Sequence, residues 1–223
     1  STENITQNWY LGNDRSMLLS NCLFRMGGAA ILLTNMPGEK YRSKYELVST
    51  VRVHRAKQDV AYNSVYQTLD ADKVLGVRLS EELISVAGEA VVRNLTTLLT
   101  RNPWLIPLSE LVPIVWDKVK SMLFKGGKKR KPYTPNFGKI FDHFAIHAGG
   151  RKVLDDIGVE LQLKDKIKPS RAALYSFGNT SSASTWYELE FIENSGLLHR
   201  DQNILMMAFG SGFKCNSVVW KSL

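Results

Sequence analysis

Between residues 136 and 223 the sequence alternates short apolar segments with segments of helical periodicity. The apolar segments are short and end in turn residues, which predicts strands. The periodic segments repeat apolar residues at helical spacing, which predicts amphipathic helices. We predict strands at 142–147, 203–209 and 216–221 and helices at 150–161 and 180–194. Strands that alternate with helices in this way indicate an α/β layered fold.

The earlier part of the chain shows the same two patterns. The apolar run GGAAILLTN (27–35) and the alternating run YELVSTVRVH (45–54) both predict strands. Ser80 provides an N-cap for a long buried helix, with two glutamates following it in the first turn. One face of the second strand carries Tyr45, Leu47, Ser49, Val51 and Val53. The helix repeats Leu83, Ile84, Ala87, Ala90, Val91, Leu95 and Leu98 at helical spacing.

Residues 104–124 form the longest apolar stretch, which Glu110, Asp117, Lys118, Lys120 and two prolines interrupt. A spanning helix needs about 18 uninterrupted apolar residues, so we expect no transmembrane segment in these 223 residues and recognise no targeting segment. We predict an irregular amphipathic segment that packs on the protein. The alternative is a segment that lies on a membrane surface.

The segment KGGKKRKPYTPN (125–136) combines a charge run, a glycine pair and two prolines, which marks a connection between two parts of the chain. The simplest interpretation of its basic residues is a solvated loop. The alternative is attraction to an anionic membrane surface or to a phosphorylated ligand. The basic residues are Lys125, Lys128, Lys129, Arg130 and Lys131.

The composition narrows the class of partner without identifying it. A net charge of +8 favours anionic partners. Nucleic acid ranks last among them, because the basic residues cluster in one segment without interleaved aromatics. Cys22 and Cys215 are too few for a disulfide framework, and no cysteine or histidine cluster has metal-binding spacing, which favours a reducing compartment.

Two histidines four residues apart occur in HFAIHAGGR (143–151). A metal pair at this spacing needs a helix, whereas FAI followed by Gly149-Gly150 indicates a strand that ends at a turn. We therefore expect no metal site here. His147 then lies at the carboxyl end of a strand and before a helix, where α/β folds commonly place active groups. A histidine that is hydrogen-bonded within a core is the alternative for His147 alone.

Two further segments carry candidate site residues. In FGNTSSAS (177–184), Asn179 precedes a helix whose first turns consist of small residues, which allows close approach to a neighbour. An N-cap role explains the asparagine but not the small residues. In AFGSGFKCNS (208–217), Gly210 and Gly212 flank Ser211 after an apolar strand. Such a loop lets backbone N–H groups face a ligand, although a simple turn has the same signature.

Taken together, seven strings resemble the plant 3-ketoacyl-CoA synthases, which condense acyl groups in very-long-chain fatty acid elongation. They are SNCLFRMGGAAILL, RSKYELVSTVRVH, KPYTPNF, HFAIHAGGR, FGNTSSAS, WYELEFIE and AFGSGFKCNSVVW, and the resemblance runs from Ser1 to Leu223. It implies a thiolase-like αβαβα fold with two similar halves. Residues 1–40 would end the first half, and residues 41–223 would form the second half, with the basic connection at 125–136.

The resemblance also implies the site and its chemistry. His147 and Asn179 match the catalytic histidine and asparagine, and the loop Gly210, Ser211 and Gly212 matches the backbone oxyanion donor. A cysteine thiolate would take the acyl group as a thioester, and the carbanion from malonyl-CoA decarboxylation would attack it. A histidine and an asparagine N–H would stabilise the developing enolate oxygen. His54 and His143 also match family histidines, for which we expect supporting, structural roles.

The same resemblance implies partners and location. The substrates would be long-chain acyl-CoA and malonyl-CoA, without a cofactor. The protein would form a homodimer, interact with other elongase enzymes and lie on the cytosolic face of the endoplasmic reticulum membrane. The family's membrane segments and its nucleophile motif Gly-Met-Gly-Cys-Ser-Ala-Gly do not occur in these residues, and neither Cys22 nor Cys215 has the nucleophile's context. Tyr175 stands where many relatives have histidine. We therefore expect a fragment that is inactive alone; the alternative is a truncated, non-catalytic paralogue that acts as a docking module.

Overall fold

The computed structural model describes residues 1–123 and 133–223, which form helices and strands in alternation. The strands are β1 (Thr2–Glu3), β2 (Gly27–Gly28), β3 (Tyr45–His54), β4 (Val65–Leu69), β5 (Leu75–Leu79), β6 (His143–Ile146), β7 (Asn203–Gly210) and β8 (Lys214–Ser222). The α-helices are α1 (Arg15–Leu23), α2 (Asp59–Tyr62), α3 (Leu83–Arg101), α4 (Leu108–Leu123), α5 (Phe137–Ile140), α6 (Arg151–Glu160), α7 (Lys168–Phe177) and α8 (Ser184–Asn194). The predicted α/β class is confirmed.

The main sheet has four strands in the order β3-β8-β7-β6. Strands β6 and β7 are parallel, and the other two pairs are antiparallel. A parallel pair needs a long crossover, which helices α6, α7 and α8 provide between β6 and β7. The strands predicted at 142–147, 203–209 and 216–221 are confirmed as β6, β7 and β8, and the helix predicted at 150–161 is confirmed as α6.

The sheet has a hydrophobic core on each face, and alternate residues of its strands point to opposite sides. In β6, Phe144 and Ile146 join the larger core, to which α3 and α6 also contribute. Ala145 points the other way, into a smaller core with Leu189 and Ile192 of α8. The described residues therefore build an α/β/α arrangement around this sheet.

Helix α3 packs along the larger core and is fixed there by one buried polar side chain. Nδ2 of Asn94 donates to the carbonyl oxygens of Val51 at 3.2 Å and Cys215 at 2.9 Å. The helix was predicted to begin after Ser80, but it begins at Leu83, because the backbone oxygen of Ser80 accepts from the Leu83 N–H in a preceding turn. The predicted buried face is confirmed, with Ala87, Ala90, Val91, Leu95 and Leu98 buried.

The strand predicted at 27–35 is wrong beyond its first two residues. Only Gly27–Gly28 form a strand, paired with β1. No described strand pairs with residues 29–35, and an unpaired strand is not stable in water. The apolar side chains of Leu32 and Leu33 accordingly remain 97% and 71% exposed.

The predicted single apolar face of β3 is only partly correct. A register shift against β8 lies between Leu47 and Ser49. Such a bulge reverses which face the following residues occupy. Val51 and Val53 therefore enter the larger core, Tyr45 packs against the smaller one, and Leu47 is exposed.

Helix α7 has no counterpart in the predictions because its buried positions are not strongly apolar. Its buried residues are Ser170 and Ala173, which carry little periodic hydrophobic signal. Pro169 lies in its first turn, where a missing N–H does no harm. The helix predicted at 180–194 is present as a short 3₁₀ turn followed by α8 from Ser184.

The prediction for residues 104–124 is only partly correct. Leu105 and Ile106 pack against the larger core, as expected. Helix α4, with Pro113 inside it, follows at Leu108–Leu123, and most of its apolar side chains are exposed instead of packed on the protein. Among the described residues, no helix has the length and apolar character needed to cross a membrane. The basic residues from Lys125 to Lys131 lie outside the described part of the chain.

Helix α1 packs closely on β5. A side chain at Gly76 would come within 2.6 Å of both Met17 and Tyr10, so only glycine permits this approach. Tyr10 also hydrogen-bonds Asp70, directly after β4. Residues 1–40 therefore contact the rest of the chain extensively, and their assignment to a separate half stays a prediction.

Replacing Asn94 by Ala should destabilise the chain by about 1–3 kcal/mol, because it removes the two hydrogen bonds that the Asn94 amide donates to β3 and β8. Urea unfolding followed by circular dichroism measures the change. Val92→Ala, on the exposed side of the same helix, is the matched control and should alter the free energy of unfolding by less than about 0.5 kcal/mol. Equal effects of the two substitutions would contradict this role of Asn94.

Candidate active site

His147 lies immediately after β6, at the carboxyl end of the parallel pair. Its backbone N–H donates to the Met207 oxygen at 2.8 Å, which continues the β6–β7 ladder by one residue. Its Nδ1 lies 2.7 Å from the Ser184 hydroxyl oxygen at the start of α8. The ring also meets Phe209 edge-on at 6.3 Å between centroids. The side chain is therefore fixed from three directions, and the residue is only 8% exposed.

Burial keeps the imidazole of His147 neutral at physiological pH. Desolvation lowers its pKa from 6.5 to about 4, although a hydrogen bond with the backbone of Ser181 partly opposes the shift. A neutral imidazole carries one N–H and one free lone pair. When the Ser184 hydroxyl donates to Nδ1, the ring proton lies on Nε2. That edge of the ring faces Gly149, since a Cβ built there would lie 3.5 Å from Nε2.

Asn179 is held in place by both its backbone and its side chain. Its N–H donates to the Leu23 oxygen at 3.0 Å, and its own oxygen accepts from the Arg25 N–H at 2.8 Å. In the side chain, Oδ1 accepts from the Ser181 N–H at 2.9 Å, as in an Asx turn, and Nδ2 donates to the Gly149 oxygen at 3.2 Å. The residue is 2% exposed.

Gly149 brings the two predicted catalytic residues together. The Nε2 edge of His147 faces its Cα, and Nδ2 of Asn179 donates to its carbonyl. A neutral imidazole and a primary amide thus both lie against one glycine. Such a pair can offer two N–H groups to one oxygen that gains negative charge.

Glu188 lies behind this site and has no counterpart in the predictions. Oε2 accepts from the Ser170 hydroxyl at 2.6 Å, and the Ser170 oxygen in turn accepts from the Ile146 N–H at 3.0 Å. Burial raises the pKa of Glu188 well above its usual value, although hydrogen bonding to Ser170 and to the backbone of Ala148 and Ile146 opposes the shift. Glu188 therefore supports the backbone on both sides of His147.

The sequence held a weak signal for these supporting residues. Ser184 and Glu188 are four residues apart, so they share one face of α8. Leu189 and Ile192 on the same helix are buried. A glutamate among buried positions of a helix is unusual unless it has a polar partner. The partner, Ser170, lies on α7. Because α7 was not predicted, the sequence did not show which residue pairs with Glu188.

The loop at 210–212 forms the hairpin turn between β7 and β8. Gly212 has a φ of +119°, which favours glycine. Phe209 joins this turn to the site, since its ring contacts His147 and stacks on Phe213 with 6.1 Å between centroids. The oxyanion role of Gly210, Ser211 and Gly212 stays a prediction.

The other candidate histidines lie around the site instead of within it. His54 ends β3, and its Nε2 would be 3.1 Å from a Cβ at Gly212, so it backs the loop. His143 begins β6, with Nε2 2.9 Å from Oε1 of Gln202. His147 lies four positions further along the extended chain, about 13 Å away, which is too far for the two histidines to share a metal ion. The described residues contain no group of three or more side chains suited to a metal ion. Tyr175 is 94% exposed on α7.

The two cysteines have different environments. Cys22 is exposed on α1, and its neighbour Leu23 is the residue that approaches the site, beside Gly150. Cys215 is fully buried in β8, and burial raises the pKa of its thiol to about 12. A thiol that remains protonated is not a nucleophile at neutral pH.

Two family comparisons relate this chain to the type III polyketide synthases and the chalcone and stilbene synthases. Residues 1–123 match the family described as FAE1/Type III polyketide synthase-like protein, and residues 109–223 match the C-terminal domain of chalcone and stilbene synthases. The chain therefore belongs to the FAE1/type III polyketide synthase-like family.

Its curated relatives include 3-ketoacyl-CoA synthases of Arabidopsis thaliana. The chain is 54% identical to 3-ketoacyl-CoA synthase 2 and 52% identical to 3-ketoacyl-CoA synthase 11, and each match covers the whole chain but only 42% and 43% of the relative. The chain thus spans less than half the length of these relatives. The resemblance to this family, expected from the sequence, is confirmed.

Solved structures show the same fold at low sequence identity. A polyketide synthase from the brown alga Ectocarpus siliculosus has a TM-score of 0.66 at 13% identity, covering 100% of this chain and 51% of that one. CsyB, solved with CoA-SH, has a TM-score of 0.63 at 16% identity, covering 92% of this chain and 48% of that one. The predicted thiolase-like fold class is confirmed.

The buried imidazole predicts a pH dependence of stability. Because the folded-state pKa of His147 is about 4 and the ordinary value is 6.5, its contribution to stability is present above pH 6.5 and is lost as the pH falls towards 4. The loss should reach about 3 kcal/mol. Glu188, whose pKa is raised, contributes in the opposite sense. Urea unfolding at pH 7 and pH 4 should show a larger acid loss for the unsubstituted chain than for His147→Gln, and parallel losses would contradict the assignment.

Thiol labelling should separate the two cysteines. Ellman's reagent should react rapidly with one thiol, Cys22, and with Cys215 only after unfolding, because the latter is inaccessible and protonated. A Cys22→Ser variant should show no rapid phase. A rapid reaction in that variant would mean that Cys215 is open and reactive, contrary to the structure.

Proposed function

We propose that this chain is the carboxyl-terminal part of a 3-ketoacyl-CoA synthase, an acyltransferase that joins malonyl-CoA to a long-chain acyl-CoA with loss of carbon dioxide. The observation that carries the proposal is the neutral, buried His147 beside Asn179, joined through Gly149. Its similarity over the whole chain to enzymes named 3-ketoacyl-CoA synthases supports the substrate class. The same similarity disfavours the alternative of a non-catalytic docking module.

In the proposed reaction, His147 and Asn179 share one role during the decarboxylation of malonyl-CoA. When malonyl-CoA loses carbon dioxide, the electron pair of the broken carbon–carbon bond moves onto the thioester, and the carbonyl oxygen becomes an enolate oxygen. N–H groups from the imidazole and from the amide stabilise that oxygen without giving up a proton. Burial strengthens both interactions, because little water competes for the oxygen.

The condensation step needs an acyl group held as a thioester. The enolate carbon attacks the thioester carbonyl, a new carbon–carbon bond forms, and the cysteine thiolate leaves with the electron pair of the broken carbon–sulfur bond. We propose that the turn at Gly210, Ser211 and Gly212 stabilises the oxygen of this second intermediate. The nucleophile would come from outside residues 1–223, since Cys215 is buried and protonated and Cys22 lies on the outer surface of α1.

The remaining parts of the proposal concern ligands, assembly and location. Coenzyme A thioesters would be substrates without a further cofactor, and the fold neighbour CsyB was solved with CoA-SH. We also propose a homodimer, contacts with other elongase enzymes and a place on the cytosolic face of the endoplasmic reticulum membrane, as the resemblance to the family implies. Nucleic acid is not a proposed partner. Residues 1–223 alone should make no 3-ketoacyl-CoA.

A chimera tests the proposal directly. The amino-terminal portion of 3-ketoacyl-CoA synthase 2, joined to residues 1–223, should elongate a long-chain acyl-CoA with labelled malonyl-CoA. In this chimera, His147→Ala should lower the rate of condensation by about 10²- to 10³-fold, because one donor to the enolate oxygen is lost.

The control is His199→Ala, which removes an exposed histidine from a turn and should leave the rate unchanged. A chimera that folds and binds malonyl-CoA but makes no product would contradict the proposed function. Retained activity in His147→Ala would remove the role of His147.

A further inference from the structure

An ordinary surface helix turns its apolar side towards the protein, whereas helix α4 turns its acidic side towards it. Its one buried residue is Glu110, which is 1% exposed. The carboxylate accepts from the Tyr133 hydroxyl at 2.7 Å and from the Asn136 N–H at 2.9 Å, and it forms a 2.9 Å ion pair with Lys139. These partners, led by the Asn136 N–H, hold the pKa of Glu110 below its usual range. The acidic side of the helix is therefore the side attached to the protein.

The second acidic residue of α4 also faces the protein. Oδ2 of Asp117 accepts from the Tyr133 N–H at 3.0 Å, two turns after Glu110. Residues 133–139 thus hold the helix through its carboxylates. No hydrophobic side chain of α4 is buried. Leu111, Pro113 and Ile114 are only half-buried, so hydrophobic burial holds this helix less firmly than it holds an ordinary surface helix.

The opposite side of α4 presents an apolar stripe to solvent. Its members follow one another at alternating steps of four and three residues, so they lie on one face. Their exposed fractions run from 37% to 75%, unusually high for a continuous row of apolar side chains. We call this surface the outer stripe, and it comprises Leu108, Val112, Val115, Val119 and Met122.

Tryptophan and lysine side chains border the outer stripe. Trp116 is 57% exposed, and Nζ of Lys120 lies over its ring, 5.3 Å from the centroid. Trp104, just before the helix, is 69% exposed. Indole rings favour the boundary between an apolar phase and water. In the sequence, residues 104–136 contain seven lysines and arginines against two acids; five of the seven lie outside the described part of the chain, and both acids, Glu110 and Asp117, are bound on the inner side.

We propose that α4 is a membrane-surface helix, which lies flat on an anionic lipid bilayer with the outer stripe among the acyl chains and its lysines among the headgroups. Apolar side chains, border tryptophans and a rim of one charge are the features that such helices use. The helix lies along the surface instead of crossing it, as no described helix suits a span. A membrane contact at α4 adds to any anchor in the longer protein and does not depend on the proposed condensing activity.

Charge favours the membrane over a second copy of the chain. In a symmetric pair, each outer stripe would face its own copy, and Lys118 and Lys120 would meet the same lysines of the other chain without acids to pair with. Anionic lipid headgroups provide the missing charge. Each lysine or arginine near such a surface contributes on the order of 1 kcal/mol to binding.

Vesicle cosedimentation of residues 1–223 tests the inference. The probes are vesicles of phosphatidylcholine alone and vesicles with a quarter phosphatidylserine. The chain should bind the anionic vesicles and should bind the neutral ones at least tenfold more weakly. Val112→Asp with Val115→Asp should reduce binding to the anionic vesicles at least tenfold, because two charges would enter the apolar phase.

The control is a second pair of exposed valines away from α4, Val92→Asp with Val159→Asp, which adds the same charge elsewhere. It should retain most of the binding, and both variants should keep the circular dichroism spectrum of the parent. Equal losses in the two variants, or no binding to either kind of vesicle, would overturn the inference. Concentration-dependent dimerisation that only the Val112 and Val115 substitutions abolish would also overturn it, since a second copy would then cover the outer stripe.

Discussion

The parallel pairing of β6 with β7 determines where the site lies. It brings His147 to the end of the ladder, where the Met207 oxygen accepts its N–H at 2.8 Å, and it carries β7 onward to the turn at 210–212. The crossover between the two strands consists of α6, α7 and α8. The crossover segment therefore also supplies Asn179 and Ser184 beside the same strand end. One strand pairing and its connection thus place the main candidate groups together.

Burial then defines the chemistry that these groups can support. A surface imidazole would be partly charged at neutral pH, whereas His147 stays neutral because its pKa is about 4. Ser184 orients one ring nitrogen, and Glu188 supports the neighbouring backbone through Ser170. The side chain of Asn179 is directed by the Ser181 N–H and the Gly149 carbonyl. The pair therefore suits the stabilisation of an oxygen anion by neutral N–H donors.

Features that depend on residues close together in the sequence could be predicted, whereas features that depend on contacts between distant elements could not. The local patterns around β3, α3, β6, β7 and β8 were sufficient to predict those elements, and the position of His147 followed from its strand. Residues 29–35 were predicted wrongly because a strand depends on a partner, which the described residues do not provide. Ser184 and Glu188 acquire their roles through contacts with other elements. Helix α4 was misjudged because apolar residues were assumed to face the protein, whereas its carboxylates do so.

The central claim is that Asn179 and His147 act together on the malonyl oxygen. The most direct measurement is the rate at which the chimera that carries residues 1–223 decarboxylates malonyl-CoA in the absence of an acyl acceptor. The release of labelled carbon dioxide reports this rate. Asn179→Asp keeps the shape of the side chain but replaces the N–H donor by a carboxylate oxygen. The account predicts that this substitution lowers decarboxylation by about 10²-fold or more. An unchanged rate of carbon dioxide release in the Asn179→Asp chimera would contradict it.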